Sequence, residues 1–210
     1  MTSHSQAALA TGTQRRHGPA EALSDLLAGN RRFAAGRPRY GHHVANAAAR
    51  SRSQQPYAVV VGCIDSRVPL EAVFDQNFGS ICVVRSGAHV LDRSIVGSIE
   101  FAVSALDVAL VMVLGHERCG AIASTVESMR TGKRPDGSLS YLVDEIAPAV
   151  EAVGVDDRNV YAKALREHVW RTVERLREVP LLAEADAQGK VHVVGAVYDL
   201  DTGVVTILNP

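Results

Sequence analysis

The feature that most constrains this chain is a set of short apolar runs that do not alternate. YAVVVG from Tyr57 to Gly62, the run from Ile81 to Val84, and ALVMVL from Ala109 to Leu114 carry aliphatic residues at consecutive positions. Successive strand residues point to opposite faces of a sheet, so strands of this kind must be covered on both sides. A mostly parallel central sheet flanked by helices meets that condition, and the expected fold class is therefore α/β. The segments between the runs agree. Ile95, Ile99, Val103 and Leu106 recur at helical spacing between Ser94 and Asp107. Gly120 to Arg130 reads as a further helix and Thr131 to Ser140 as a loop. Val160, Ala164, Val169, Val173 and Leu176 mark a long amphipathic helix that is expected to stop before Pro180. Val191 to Tyr198 and Val204 to Leu208, joined across Asp201-Thr202-Gly203, read as a closing hairpin.

Upstream, Pro19 opens a helix with Leu23, Leu26, Leu27 and Phe33 on one face, ended by Gly36 and Pro38. The polar, alanine-rich stretch from Tyr40 to Pro56 reads as a surface connection. Residues 1–18 lack a sustained period and are expected to form a mobile arm, leaving 19–210 as one catalytic domain with a helical N-terminal arm. A chain of 210 residues, 47% of them hydrophobic, is sufficient for one substantial core. Lysine and arginine total 22 against 23 acidic residues, a formal charge of -1, which speaks against nucleic acid or an anionic membrane as partner. The most apolar internal segment, Ile95 to Leu114, is interrupted by Glu100 and Asp107, so no membrane span is expected. Three widely spaced cysteines, Cys63, Cys82 and Cys119, form no disulfide framework. They suit a reducing compartment, and the cytoplasm is the expected location.

Ligand sites in such sheets lie beyond the carboxyl ends of the strands. The first run ends in VVVGCIDSRVP, which puts Cys63, Asp65 and Arg67 at such an end, and LGHERCGA puts His116 and Cys119 at another. Two thiols and an imidazole make a Cys2His set, the ligand count of a catalytic zinc site with a fourth position open. Taken singly, each piece has a plainer reading. A strand-end cysteine is commonly a small buried hydrophobe, and Asp65 with Arg67 also reads as an ion pair tying strand to helix.

Together these residues resemble the β-class carbonic anhydrases, whose defining combination is C-x-D-S-R (Cys63, Asp65, Ser66, Arg67) followed by H-x-x-C (His116, Cys119). Further similar positions are Gly29-Asn30, Arg32-Phe33, Phe74-Asp75, Val84-Arg85, Gly97 to Glu100 and Val197 to Asp199, so that the resemblance spans roughly residues 20 to 208. It implies reversible hydration of carbon dioxide to bicarbonate and a proton, with one Zn2+ per chain on Cys63, His116 and Cys119. Such an ion lowers the pKa of bound water far below that of bulk water, toward about 7. Two thiolates neutralise the ion, so activity is expected to favour neutral to alkaline pH. The resemblance further implies that Arg67 holds Asp65, which then orients the attacking hydroxide; released, Asp65 becomes a fourth zinc ligand and closes the site. Gln54 matches a substrate-contacting glutamine, and family members are homodimers or homotetramers.

The sequence also departs from the family. Val60 stands where members with a bicarbonate-inhibition site carry tryptophan, although Arg85 and Tyr198 match the rest of that site, so the pocket is expected to be incomplete. Ser86-Gly87-Ala88-His89 replaces the commoner T-A-G-N, and His89 is expected at a helix start in solvent. Cys82 is expected to be a core thiol, and Trp170 either a core or a dimer contact. Two other functions stay open: a zinc hydrolase of carbon disulfide, and a silent zinc-binding homologue with a structural or regulatory role. Retention of both Asp65 and Arg67 argues against the silent one.

Overall fold

A computed structural model describes residues 17–208. Five strands, β1 (Ala58–Cys63), β2 (Ile81–Ser86), β3 (Leu110–His116), β4 (His192–Tyr198) and β5 (Val205–Leu208), form one sheet in the order β2-β1-β3-β4-β5. The first four are mutually parallel, and β5 returns antiparallel to β4 across the expected hairpin. All residues of β1 and β3 are buried, as their unbroken apolar sequence requires. Among the described residues eight α-helices flank the sheet: α1 (Pro19–Ala34), α2 (Val44–Arg50), α3 (Leu70–Val73), α4 (Arg93–Ala105), α5 (Gly120–Thr131), α6 (Leu139–Val153), α7 (Val160–Arg177) and α8 (Pro180–Ala187). Among the described residues no helix is long and apolar enough to cross a membrane. The anticipated arm falls mostly on residues 1–16, outside the described residues.

The two faces are covered unequally. Val59, Val61, Val111, Val113, Val193 and Val197 pack beneath residues of α4 to α8, whereas Ala58, Val60, Leu110, Met112 and Leu114 pack with Ala22 and Leu26 of α1 and with α3. Helix α7 comes very close to the sheet. A Cβ on Gly115 would lie 2.6 Å from Val169, and one on Gly195 2.9 Å from the same side chain, so side chains there would push α7 outward.

On the other face α1 is fastened by polar contacts. The Asn30 amide donates to Val73 O and Gly203 O at 3.0 and 2.8 Å, and its oxygen accepts from the Val205 N–H at 2.9 Å. Buried Asp75 accepts from Arg32 Nε and from the backbone N–H groups of Arg39 and Tyr40. Gly29 lets α1 touch the α3 backbone, since a Cβ would sit 1.8 Å from Phe74 O. These contacts give a physical reason for several of the positions that carry the family resemblance, namely Gly29-Asn30, Arg32 and Phe74-Asp75.

Two helices differ from the sequence reading. Helix α6 begins inside what read as the end of a loop, and Val143, Ile146 and Val150 give it a buried face despite Pro148. Pro180 does stop α7, but it also begins α8 at the first helical position, where its missing N–H costs nothing.

Candidate metal centre

Strands β1 and β3 are adjacent and parallel, with Gly62 opposite Leu114, so their carboxyl ends finish side by side. Cys63 closes β1 and His116 closes β3; Arg118 then turns the chain with φ 51°, and Cys119 caps α5. The two sulfurs and an imidazole nitrogen of Cys63, Cys119 and His116 thereby lie within 4.8 Å of one another. Each of the three residues is no more than 5% exposed.

The donors fit a thiophilic divalent ion such as zinc. His116 Nδ1 lies 2.9 Å from Glu117 O, which can only accept, so the proton sits on Nδ1 and the Nε2 lone pair is free. Nε2 is buried and has no hydrogen-bond partner, a costly condition that a cation would relieve. The thiols behave as a pair sharing one proton. Cys63 is pulled down first by the hydrogen bond from Cys119 and then, against the cost of burial, by His116 and the N–H groups of Ala88 and Asp65. Cys119 is pushed up by its bond to Cys63, by burial and by the neighbouring charge. The two shifts run in opposite directions and favour the anion on Cys63 over Cys119, and a divalent ion would hold both as thiolates.

Asp65 and Arg67 follow at the mouth. Arg67 Nε and Nη2 grip the two Asp65 oxygens at 3.0 and 2.7 Å, and the Arg67 N–H adds a third bond at 2.9 Å. The side-chain grip, assisted by that N–H and opposed by burial, holds the Asp65 carboxyl well below its usual range. Arg67 Nη2 also reaches Arg118 O at 3.2 Å, tying the Asp65 turn to the Cys119 turn. Asp65 Oδ2 lies 3.8 Å from His116 Nε2, facing the thiol-imidazole cluster while still held by Arg67.

Arg85 has a role that the sequence did not reveal. Its Nε and Nη2 donate to Cys63 O and Asp65 O at 2.7 and 2.6 Å, clamping the turn that presents both residues. These donors are therefore turned toward the chain itself rather than toward an anion. Gln54 is not brought to the cluster. It precedes β1, beside Gly79 ahead of β2, whereas Cys63 ends β1, a strand about 17 Å long at the rise of an extended chain. His89 is also not in solvent: it is 1% exposed and stacks on His168. Positive φ values at Ala88 and His89 turn the ring inward under α7, which residue type alone does not indicate. Cys82 is only half-buried because β2 is an edge strand, and Trp170 is half-buried beneath the Arg177 guanidinium.

Comparison with known proteins agrees with this geometry. The family model described as carbonic anhydrase matches residues 58–205. Carbonic anhydrase 2 of Mycobacterium tuberculosis is 38% identical over 187 residues, covering 88% of this chain and 90% of the relative. The carbonic anhydrase of Mycolicibacterium smegmatis is 36% identical over 191 residues, covering 90% and 93%. Two solved structures share the fold at lower identity. A Coccomyxa β-carbonic anhydrase in complex with acetazolamide superimposes with a TM-score of 0.69 at 23% identity, covering 89% of this chain and 86% of that one. One of the tetrameric β-carbonic anhydrases of Sordaria macrospora also gives 0.69, at 22% identity with 91% and 95% covered. The chain belongs to the carbonic anhydrase family, in its β class.

Proposed function

We propose that this protein catalyses the reversible hydration of carbon dioxide to bicarbonate and a proton, using one zinc ion per chain held by Cys63, His116 and Cys119. The observation that carries this reading is the buried, unpartnered His116 Nε2 converging with two thiols, with the Asp65 carboxylate held 3.8 Å from it. Zinc bound there supplies a Lewis acid that makes hydroxide available near neutral pH. The protein's own groups do the rest. Asp65 is kept ionised by Arg67 and can only accept a hydrogen bond, so it fixes the orientation of the attacking oxygen. Arg85 and the Arg67–Arg118 contact hold that carboxylate in register with the ligands. A closed, purely structural zinc site would require neither Asp65 nor its arginine.

Within one chain Gln54 stands apart from the cluster, so the substrate contact proposed for it requires a second copy, and we propose a homodimer or homotetramer; the Sordaria relatives are described as tetrameric. Three reduced cysteines fit the cytoplasm. The deciding experiment is stopped-flow hydration of carbon dioxide by the zinc-loaded protein beside Cys63→Ser and Asp65→Ala, with carbon disulfide as a parallel substrate. Rapid carbon dioxide hydration lost in both variants is the expected result. No rate above buffer in any of them would overturn the proposal, and turnover of carbon disulfide alone would reassign the substrate.

A further inference from the structure

Against the Cys63 sulfur of the candidate metal centre lies a buried arrangement that the proposed reaction does not use. Between β2 and α4 the chain makes a 3-10 turn, Gly87–His89, in which Ala88 has φ 47° and ψ 41° and His89 has φ 49°. Two successive left-handed residues other than glycine are strained, and such a conformation persists only where the surroundings impose it. Here α7 and α6 impose it. His168 Nε2 lies 3.0 Å from Ala88 O; a carbonyl cannot donate, so Nε2 carries the proton. The His168 ring stacks on His89 with centroids 4.7 Å apart, and Thr172 Oγ1 lies 3.4 Å from His89 Nδ1. Leu142 of α6 fills the space beside Gly87, and the Ser86 hydroxyl donates to Val90 O across the turn. Ala88, His89, His168 and Thr172 are each at most 3% exposed.

The consequence falls on Cys63. In this conformation the Ala88 N–H points at the Cys63 sulfur, with N and Sγ 3.3 Å apart. A hydrogen bond to a thiolate withdraws charge from the lone pairs that a metal uses. We propose that His168 is a positioning residue for the metal centre: by holding Ala88 O it aims the Ala88 N–H at Cys63, and so tunes the charge that this ligand passes to the ion. Burial holds the His168 imidazole down to about 4, so it remains a neutral, fixed donor through the physiological range. The inference rests on the zinc site proposed above and adds to it a residue far along the chain, on a helix with no metal ligand.

The test uses the full-length protein loaded with cobalt in place of zinc, in the parent and in His168→Met, His168→Gln and Thr172→Val. Methionine fills the space without a donor, glutamine retains an N–H near the same place, and Thr172→Val removes the hydroxyl that meets His89 Nδ1 and donates to His168 O, while leaving the His168 imidazole in place. His168→Met is expected to move the thiolate-to-cobalt charge-transfer band to longer wavelength, because Cys63 then passes more charge to the ion. His168→Gln and Thr172→Val are expected to stay close to the parent. An unshifted band in folded His168→Met, or an equal shift in Thr172→Val, would refute the role. The unaltered protein loaded with an NMR-active cadmium isotope provides a check that does not depend on any variant folding. Its Ala88 amide proton should show scalar coupling to cadmium through the Cys63 sulfur, and absence of coupling refutes the bond. Absence of any thiolate-to-cobalt band in the parent would instead refute the metal site itself.

Discussion

Asn30→Ala tests whether the polar staple on α1, rather than apolar packing alone, secures the face of the sheet away from α7. The asparagine is 3% exposed and is the sole described partner of its three bonds to Val73 O, Gly203 O and the Val205 N–H. Truncation leaves two carbonyls and one N–H without a protein partner. A buried group so stranded costs about 1–3 kcal/mol. Taking about 1 for each carbonyl, which retains a second lone pair, and about 2 for the N–H gives a loss of about 4 kcal/mol. With a urea slope of about 2–3 kcal/mol per molar, the unfolding midpoint should fall by about 1.3–2 M at equal protein concentration. Asn30→Asp sharpens the test. It retains the acceptor for Val205 but sets a carboxylate oxygen against two carbonyls, which disfavours the ionised form and raises its folded-state pKa. The destabilisation of that variant should therefore be full at pH 8 and diminish as pH falls through the raised pKa toward the unfolded value. Loss of less than about 1 kcal/mol in Asn30→Ala, or a pH-independent effect in Asn30→Asp, would refute the reasoning.

Two further outcomes follow from the packing of α7. Because burial lowers the His168 pKa from 6.5 to about 4, the folded state favours the neutral ring. The stability so conferred is complete above about pH 6.5 and is lost as pH falls toward 4, amounting at most to about 3 kcal/mol. Urea unfolding at pH 7 and pH 4.5 should show the decline, and His168→Gln should reduce it. Gly115→Ala places a methyl 2.6 Å from Val169 and 2.9 Å from Leu165, both fixed in the core. Overpacking of this kind should cost about 1–3 kcal/mol, visible as a lower melting temperature, and an unchanged melting temperature would show that α7 moves freely.

Much of this molecule was legible from local pattern. Tyr57 to Gly62 and Ala109 to Leu114 were recognisable as buried strands because doubly covered strands have no polar face to disguise them. Cys63, Asp65, Arg67, His116 and Cys119 each had a plainer reading alone and stood out through the joint spacing of C-x-D-S-R and H-x-x-C at two strand ends. Helix α6 was not legible from the segments before it, since Gly137 and Ser138 extended the signature of a loop up to its first turn, and Pro148 broke its pattern. Pro180 carries two meanings, the end of one helix and the start of the next, which only the continuation of the chain separates.

The sequence by itself determined the class of fold and the residues of the candidate metal centre, because period and residue type express burial and ligand chemistry locally. Tertiary structure alone decided where each group acts. Parallel pairing of β1 with β3 made one cluster of residues some fifty positions apart. Strand direction, which no local pattern encodes, set Gln54 at the opposite end of β1 from Cys63. Two left-handed residues took His89 from its expected place in solvent to a stack beneath α7, and left a single residue, Ala88, between His168 and the Cys63 sulfur. Backbone handedness and the approach of a distant helix are consequences of packing, and packing exists only once the whole chain has closed on itself.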